Sequence, residues 1–178
     1  MVNPPAVDLA DFANEHLAYE AQMFTTARNT LFALPSQQTS NAQLPQPAEI
    51  FNQNLLVESC VLHFRNLVDF FYPSSPQSDD ISASDYAPSW GSPALPGNLK
   101  DARIRANKEL AHLTLKRKAG SSPDKFWNFY ELSITMGAVI TDFLNRVDTS
   151  KIPNAANELR KIGAIVMLAP GPVFRSSQ

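Results

Sequence analysis

One cysteine in 178 residues leaves no internal disulfide, so nothing in the chain calls for an oxidising compartment. That cysteine, Cys60, lies inside an apolar run and reads as a small core residue, because a reactive thiol needs a partly exposed, electropositive setting. Glycine is scarce as well, and the six present do not spell a Walker or dinucleotide-binding loop. The serines lack the strand–turn–helix setting of a nucleophile elbow. No apolar run approaches the roughly 20 residues needed to cross a bilayer; the most apolar tail segment, 162–169, is broken by Gly163 and stopped by Pro170. The opening residues, MVNPPAVD, lack the positive and apolar regions of a signal peptide, which leads to the expectation of a cytoplasmic protein without a membrane partner. A formal net charge of −2 excludes a surface built as a whole to coat nucleic acid, and any contact with a polyanion has to be local.

What is present is apolar surface in helical spacing. The 44% hydrophobic content, with 11 Phe, supplies one core for one domain spanning residues 1–178. The spacing predicts helix A over 8–34, where Leu9, Phe12, His16, Met23, Ala27 and Leu31 recur three, four and seven apart. Helix B is predicted over 48–72 and is apolar around most of its circumference, as expected of a helix in the middle of a bundle; its polar exceptions Glu58, Arg65 and Asp69 fall within about 40° of one another. Helix C is predicted over 99–118 with two apolar stripes, one through Leu99, Ala102, Ala106, Leu110 and Leu113 and one through Ile104, Ala111 and Leu115. Helix D follows over 123–147 behind Ser121 and Ser122 as caps. A short fifth helix, 154–162, has Asn154 as N-cap and Gly163 in the C′ place. The expected fold is all-α: an antiparallel bundle of four long helices plus a short C-terminal helix, with no strand of comparable strength. Residues 36–47 read as loop, and 73–98, with five prolines, as a long loop in which Tyr86 and Trp90 pack down through a short helical turn near 81–86; 163–178 reads as an irregular tail.

Helix C carries the chemistry. Residues 100–118 hold seven Lys or Arg against two acids in an otherwise acidic chain. Arg105 and His112 are seven apart and leave the same face, within about 20° and roughly 10 Å of rise. An imidazole titrates near neutrality and passes protons both ways, while a fixed guanidinium stabilises charge on a phosphate without a metal.

This stretch resembles the HEPN superfamily of small helical bundles, in which an arginine, a polar residue and a histidine recur on one helix. The segment Asn107-Lys108-Glu109-Leu110-Ala111-His112 is similar to the Asn-Lys-x-x-Ala-His of HEPN proteins from phage abortive-infection systems. The resemblance implies a metal-independent endoribonuclease, or a catalytically silent RNA-associated relative, with its site formed where two protomers pair through this helix as a homodimer. It gives His112 the role of general acid or base on the ribose 2′-hydroxyl, Arg105 that of stabilising the phosphate, and Asn107 that of the polar member; no cofactor is implied. In this chain Ala106 follows Arg105 where the family has a polar residue, and Asn107 stands one place later, so either the register is shifted or part of the site is lost.

Three other readings stand beside it. An Arg and a His two turns apart can be a solvated face, or a buried His satisfied by an acid such as Glu58 or Asp69. The chain can be a non-enzymatic interaction module that docks a partner through basic helix C or the 73–98 loop. It can also be a helical metalloprotein, since His16, His63 and His112 fall on three predicted helices and Glu109 with His112 spells half of a di-iron Glu-x-x-His set. The second half of that set is missing from the sequence, and His16, among apolar residues, is expected to be a packed core histidine.

Overall fold

The computed structural model describes residues 8–34, 46–91, 93–109, 126–164 and 174–175. Its architecture is all-α. The first helix starts behind Asp8, whose carboxylate accepts the Ala10 and Asp11 N–H groups, and runs as α1 (Leu9–Phe12), a single π turn (Ala13–Leu17) and α2 (Ala18–Ala33). α3 (Pro47–Phe71) begins with proline at a position where its missing N–H costs nothing, and the Glu49 carboxylate accepts the Gln46 N–H at 2.9 Å. The long connection then forms the short α4 (Ala83–Tyr86) and a 3₁₀ turn (Pro88–Trp90). α5 (Gly97–Glu109), β1 (Phe126–Trp127), α6 (Phe129–Leu144), α7 (Pro153–Gly163) and β2 (Phe174–Arg175) follow.

A π turn interrupts the first helix. The Ala18 N–H reaches back five residues to the Ala13 carbonyl, so one extra residue enters the turn and everything after it is re-phased by about 100°. Of the expected stripe, Ala27 and Leu31 are buried and Phe12 and Met23 are half-buried, whereas Leu9 is exposed and so is His16, expected in the core, with its ring 4.7 Å from that of Phe12. The buried face runs through Ala13, Leu17, Ala21, Phe24, Arg28 and Leu31.

Helix order around the core follows from named partners. Glu20 meets His63 and Asn66, and Phe24 meets Phe64, which packs α2 along α3. α7 is no appendage: Ala155, Leu159 and Ile162 are fully buried and it packs on both α2 and α6. Its expected cap Asn154 is itself capped by Asn14 of the π turn, whose Oδ1 accepts the Asn154 N–H at 3.0 Å. α6 buries Phe129, Leu132, Met136, Val139, Ile140 and Phe143, the expected face. It starts later than expected, however, because Phe126–Trp127 is extended and pairs antiparallel with Phe174–Arg175; Asn128 caps the helix by accepting the Glu131 N–H at 3.2 Å. Ser121 and Ser122, the expected caps, lie outside the described residues.

The long connection packs down as expected. Trp90, 3% exposed, donates its indole N–H to the Phe71 carbonyl at 3.0 Å, an orphan acceptor at the end of α3, and its ring meets Phe143 edge-on and Phe71 at a tilt of 46°. Tyr86 packs beside Phe70, and burial together with the carboxylates of Asp85 and Asp8 pushes its phenol up to about 12. Between pH 10 and 12 the folded chain then holds a proton that the unfolded chain has lost, so this group's contribution to stability falls as pH rises through that window. Ultraviolet titration should show Tyr86 ionising last or together with unfolding, and Tyr86→Phe should remove that component.

α3 is not covered on every side. Phe51, Leu55 and Leu62 are exposed, and they lie within about 40° of one another on the helix. Cys60 is buried, and burial pushes its thiol up and out of the reactive range.

Candidate functional site

α5 positions the basic residues. Leu99, Ala102 and Ala106 are buried and fix the helix against the core, which leaves Lys100, Asp101, Ile104 and Lys108 exposed on the far side. Ile104, expected to start a second covered stripe, is 41% exposed; Ala111 and Leu115, with which it was grouped, lie outside the described residues.

The two arginines of α5 have different surroundings from the two lysines. Arg103 donates to the Tyr72 carbonyl at 2.7 Å and stands 3.5 Å from Asp69, which also pairs with Arg65 at 3.5 Å. It therefore closes the end of α3, where a backbone acceptor has no helical partner. Arg105 donates from Nε to the Glu109 carboxylate at 2.8 Å and lays its guanidinium over the Trp127 ring, 4.1 Å from the centroid. Its side chain is 21% exposed.

Asn107 is half-buried, and its Oδ1 is buried with no hydrogen-bond partner among the described residues. Two positions beyond Arg105, it leaves the helix about 200° away, so these two side chains do not converge. His112 lies outside the described residues. Of the three residues singled out in the sequence, Arg105 and Asn107 are thus placed on opposite sides of one helix.

A second polar cluster was not legible in the sequence. Glu20 Oε2 lies 2.7 Å from His63 Nδ1 and accepts from Asn66 at 3.0 Å, with the Tyr19 ring edge-on to the imidazole at 5.6 Å. His63 is buried, and a carboxylate on its Nδ1 fixes which ring nitrogen carries the proton. Glu20 also lines a groove of about 510 Å³ between the π turn, α3 and the 73–82 segment, together with His16, Arg65 and Asp69. Among the described residues no group of three His, Cys, Asp or Glu side chains is arranged to hold a metal ion, and His16 and His63 have separate neighbours.

No described helix is long and apolar enough to cross a membrane. Comparison of the chain with protein-family models, with curated proteins and with solved structures finds no match.

Proposed function

We propose that the chain is an RNA-associated helical protein of the HEPN kind, with α5 as its RNA-facing element. Arg105 is the intended phosphate contact and His112 the ribose-directed acid or base. The protein is then either a metal-independent endoribonuclease or a relative that binds without cutting.

The observation that supports this reading is the exposure pattern of α5. Lys100, Ile104 and Lys108 follow one another at one-turn intervals and all face solvent, which puts two ammonium groups on one face about 12 Å apart along the axis. In the sequence the same four-residue step falls next on His112. Each lysine that neutralises a phosphate releases counterions, so such a face binds RNA in a salt-dependent way without reading bases.

The test is a salt series on single-stranded RNA of mixed sequence. Lys100→Ala with Lys108→Ala should weaken binding equally across sequences and reduce the salt slope by about 1 to 2. Cleavage in the presence of chelator by the native chain, lost in His112→Ala, assigns the ribonuclease; binding without cleavage assigns the silent relative. Binding that the double lysine variant leaves unchanged removes α5 from the interface.

A second reading rests on a different surface. Phe51, Leu55 and Leu62 of α3 are 61%, 47% and 46% exposed, an apolar line of the kind used to dock another protein. A protein complex lost in Leu55→Lys with Leu62→Lys, yet intact in the double lysine variant of α5, would favour the interaction module.

A further inference from the structure

We infer that Trp127 is a latch that holds Arg105 in a parked position, so that RNA has to displace the indole before the guanidinium engages phosphate. The inference rests on the reading of α5 as RNA-facing and deepens it by naming how that site is restrained.

The geometry of Arg105 is that of a group held on at least two sides. Glu109, one turn on, takes the Nε–H at 2.8 Å, and the indole of Trp127 covers one face of the guanidinium at 4.1 Å. Phosphate is gripped through pairs of N–H groups in the guanidinium plane, and the Nε edge of that plane is already given to a carboxylate. Tryptophan is the strongest aromatic partner for a cation, and the contact gains when water is excluded; this indole is 4% exposed. The Arg105 side chain is 21% exposed while its Nη2 atom is buried, so the guanidinium has to move before a ligand can take both terminal nitrogens.

The latch is anchored at a junction. Trp127 stacks on Phe129, the first residue of α6, with ring planes 8° apart and centroids 6.0 Å apart. Its strand is held by a two-residue ladder to Phe174–Arg175. Two residues of pairing are marginal alone, so Trp127 belongs to a small local unit joining α5, the start of α6 and β2. Phe129 in turn meets Phe24 edge-on at 6.5 Å, so the unit is continuous with the core.

A parked arginine lowers apparent affinity by the fraction of molecules in which it is free. Trp127→Leu keeps an apolar side chain but removes the ring face. It should tighten RNA binding about three- to tenfold, the range expected from losing one such contact. Trp127→Phe, which keeps a ring with a weaker face, should gain less, and Glu109→Gln should gain through the other half of the clamp.

Adding Arg105→Ala to Trp127→Leu should abolish the gain, since the released group is then absent. Thermal melting of each variant identifies those that fold, and Trp127→Phe and Glu109→Gln serve if Trp127→Leu does not. If the folded variants bind no tighter than the native chain while Lys100→Ala with Lys108→Ala still weakens binding, the latch is wrong and the RNA-facing reading stands. If no form binds RNA at any salt concentration, both are overturned. A gain that persists without Arg105 also overturns the latch, because it would come from some other consequence of removing the indole.

Discussion

Arg28→Ala is expected to lower stability by about 3–5 kcal/mol, combining a large cavity with backbone acceptors left without donors. Arg28 is fully buried in the middle of α2. Its Nη1 donates to the Ile162 carbonyl and to Ser133 Oγ, both at 2.8 Å, and Nη2 reaches the Lys161 carbonyl at 3.4 Å. Lys161 and Ile162 stand at the end of α7, where the last four carbonyls of a helix have no partner of their own and carry the negative end of its dipole. One guanidinium thus ties α2, α6 and α7 together, and none of these acceptors is a carboxylate. Burial lowers its pKa to about 10, far enough above neutrality that it is charged at pH 7.

The expected midpoint shift for a chain of this length is on the order of 10 °C in a thermal melt. Arg28→Met separates the two contributions: it fills most of the space, supplies no donor and removes the cost of burying a charge. Its loss should be about 1–3 kcal/mol, smaller than that of alanine. A loss below about 1 kcal/mol for Arg28→Ala would show that water takes over the carbonyls and that the guanidinium is not what joins the three helices.

Arg28 also marks where sequence reading stops. Periodicity located α3 and the buried face of α6 because Val57, Val61, Phe64, Val68 and Leu132, Met136, Val139, Phe143 repeat at the helical period. A charged residue inside such a stripe gives no sign of burial, since its acceptors come from residues 133, 161 and 162. Glu20 and His63, 43 positions apart, pair by the same kind of long-range meeting. The π turn was invisible for a different reason. Leu9, Phe12 and His16 fit an unbroken α-helix well, so their spacing carries no sign of the extra residue.

The site residues show the same boundary at closer range. That Arg105 stands on a basic helix is legible in the sequence; that its guanidinium lies on an indole 22 positions later is not, because the spacing places Trp127 in helix D. Its true setting depends on β1 pairing with β2, a contact between segments 48 positions apart whose short length leaves no alternating pattern to detect. Lys100 and Lys108 keep their sequence-level meaning because exposed side chains need no partner to be understood.

Gly137→Ala is expected to destabilise the α6–α7 pair by about 1–3 kcal/mol, although alanine is the better helix former by roughly 1 kcal/mol. A Cβ on Gly137 would lie 2.8 Å from the Gly163 Cα, closer than two carbons can approach, and the obstacle is backbone rather than the end of a flexible side chain. Relief requires the helices to part, which draws Leu159 and Ile162 of α7 away from a core in which both are fully buried. The cost of that separation exceeds the gain in propensity, so the sign is set by packing. Gly163→Ala is the milder member of the pair, since its Cβ would meet the Gly137 Cα at 3.2 Å and a shift of a few tenths of an ångström suffices. Denaturant titration should therefore order the midpoints native, Gly163→Ala, Gly137→Ala from highest to lowest, with unchanged slope. A Gly137→Ala chain as stable as the native one would mean that the two helices do not touch through their glycines, and the placement of α7 against α6 would have to be revised.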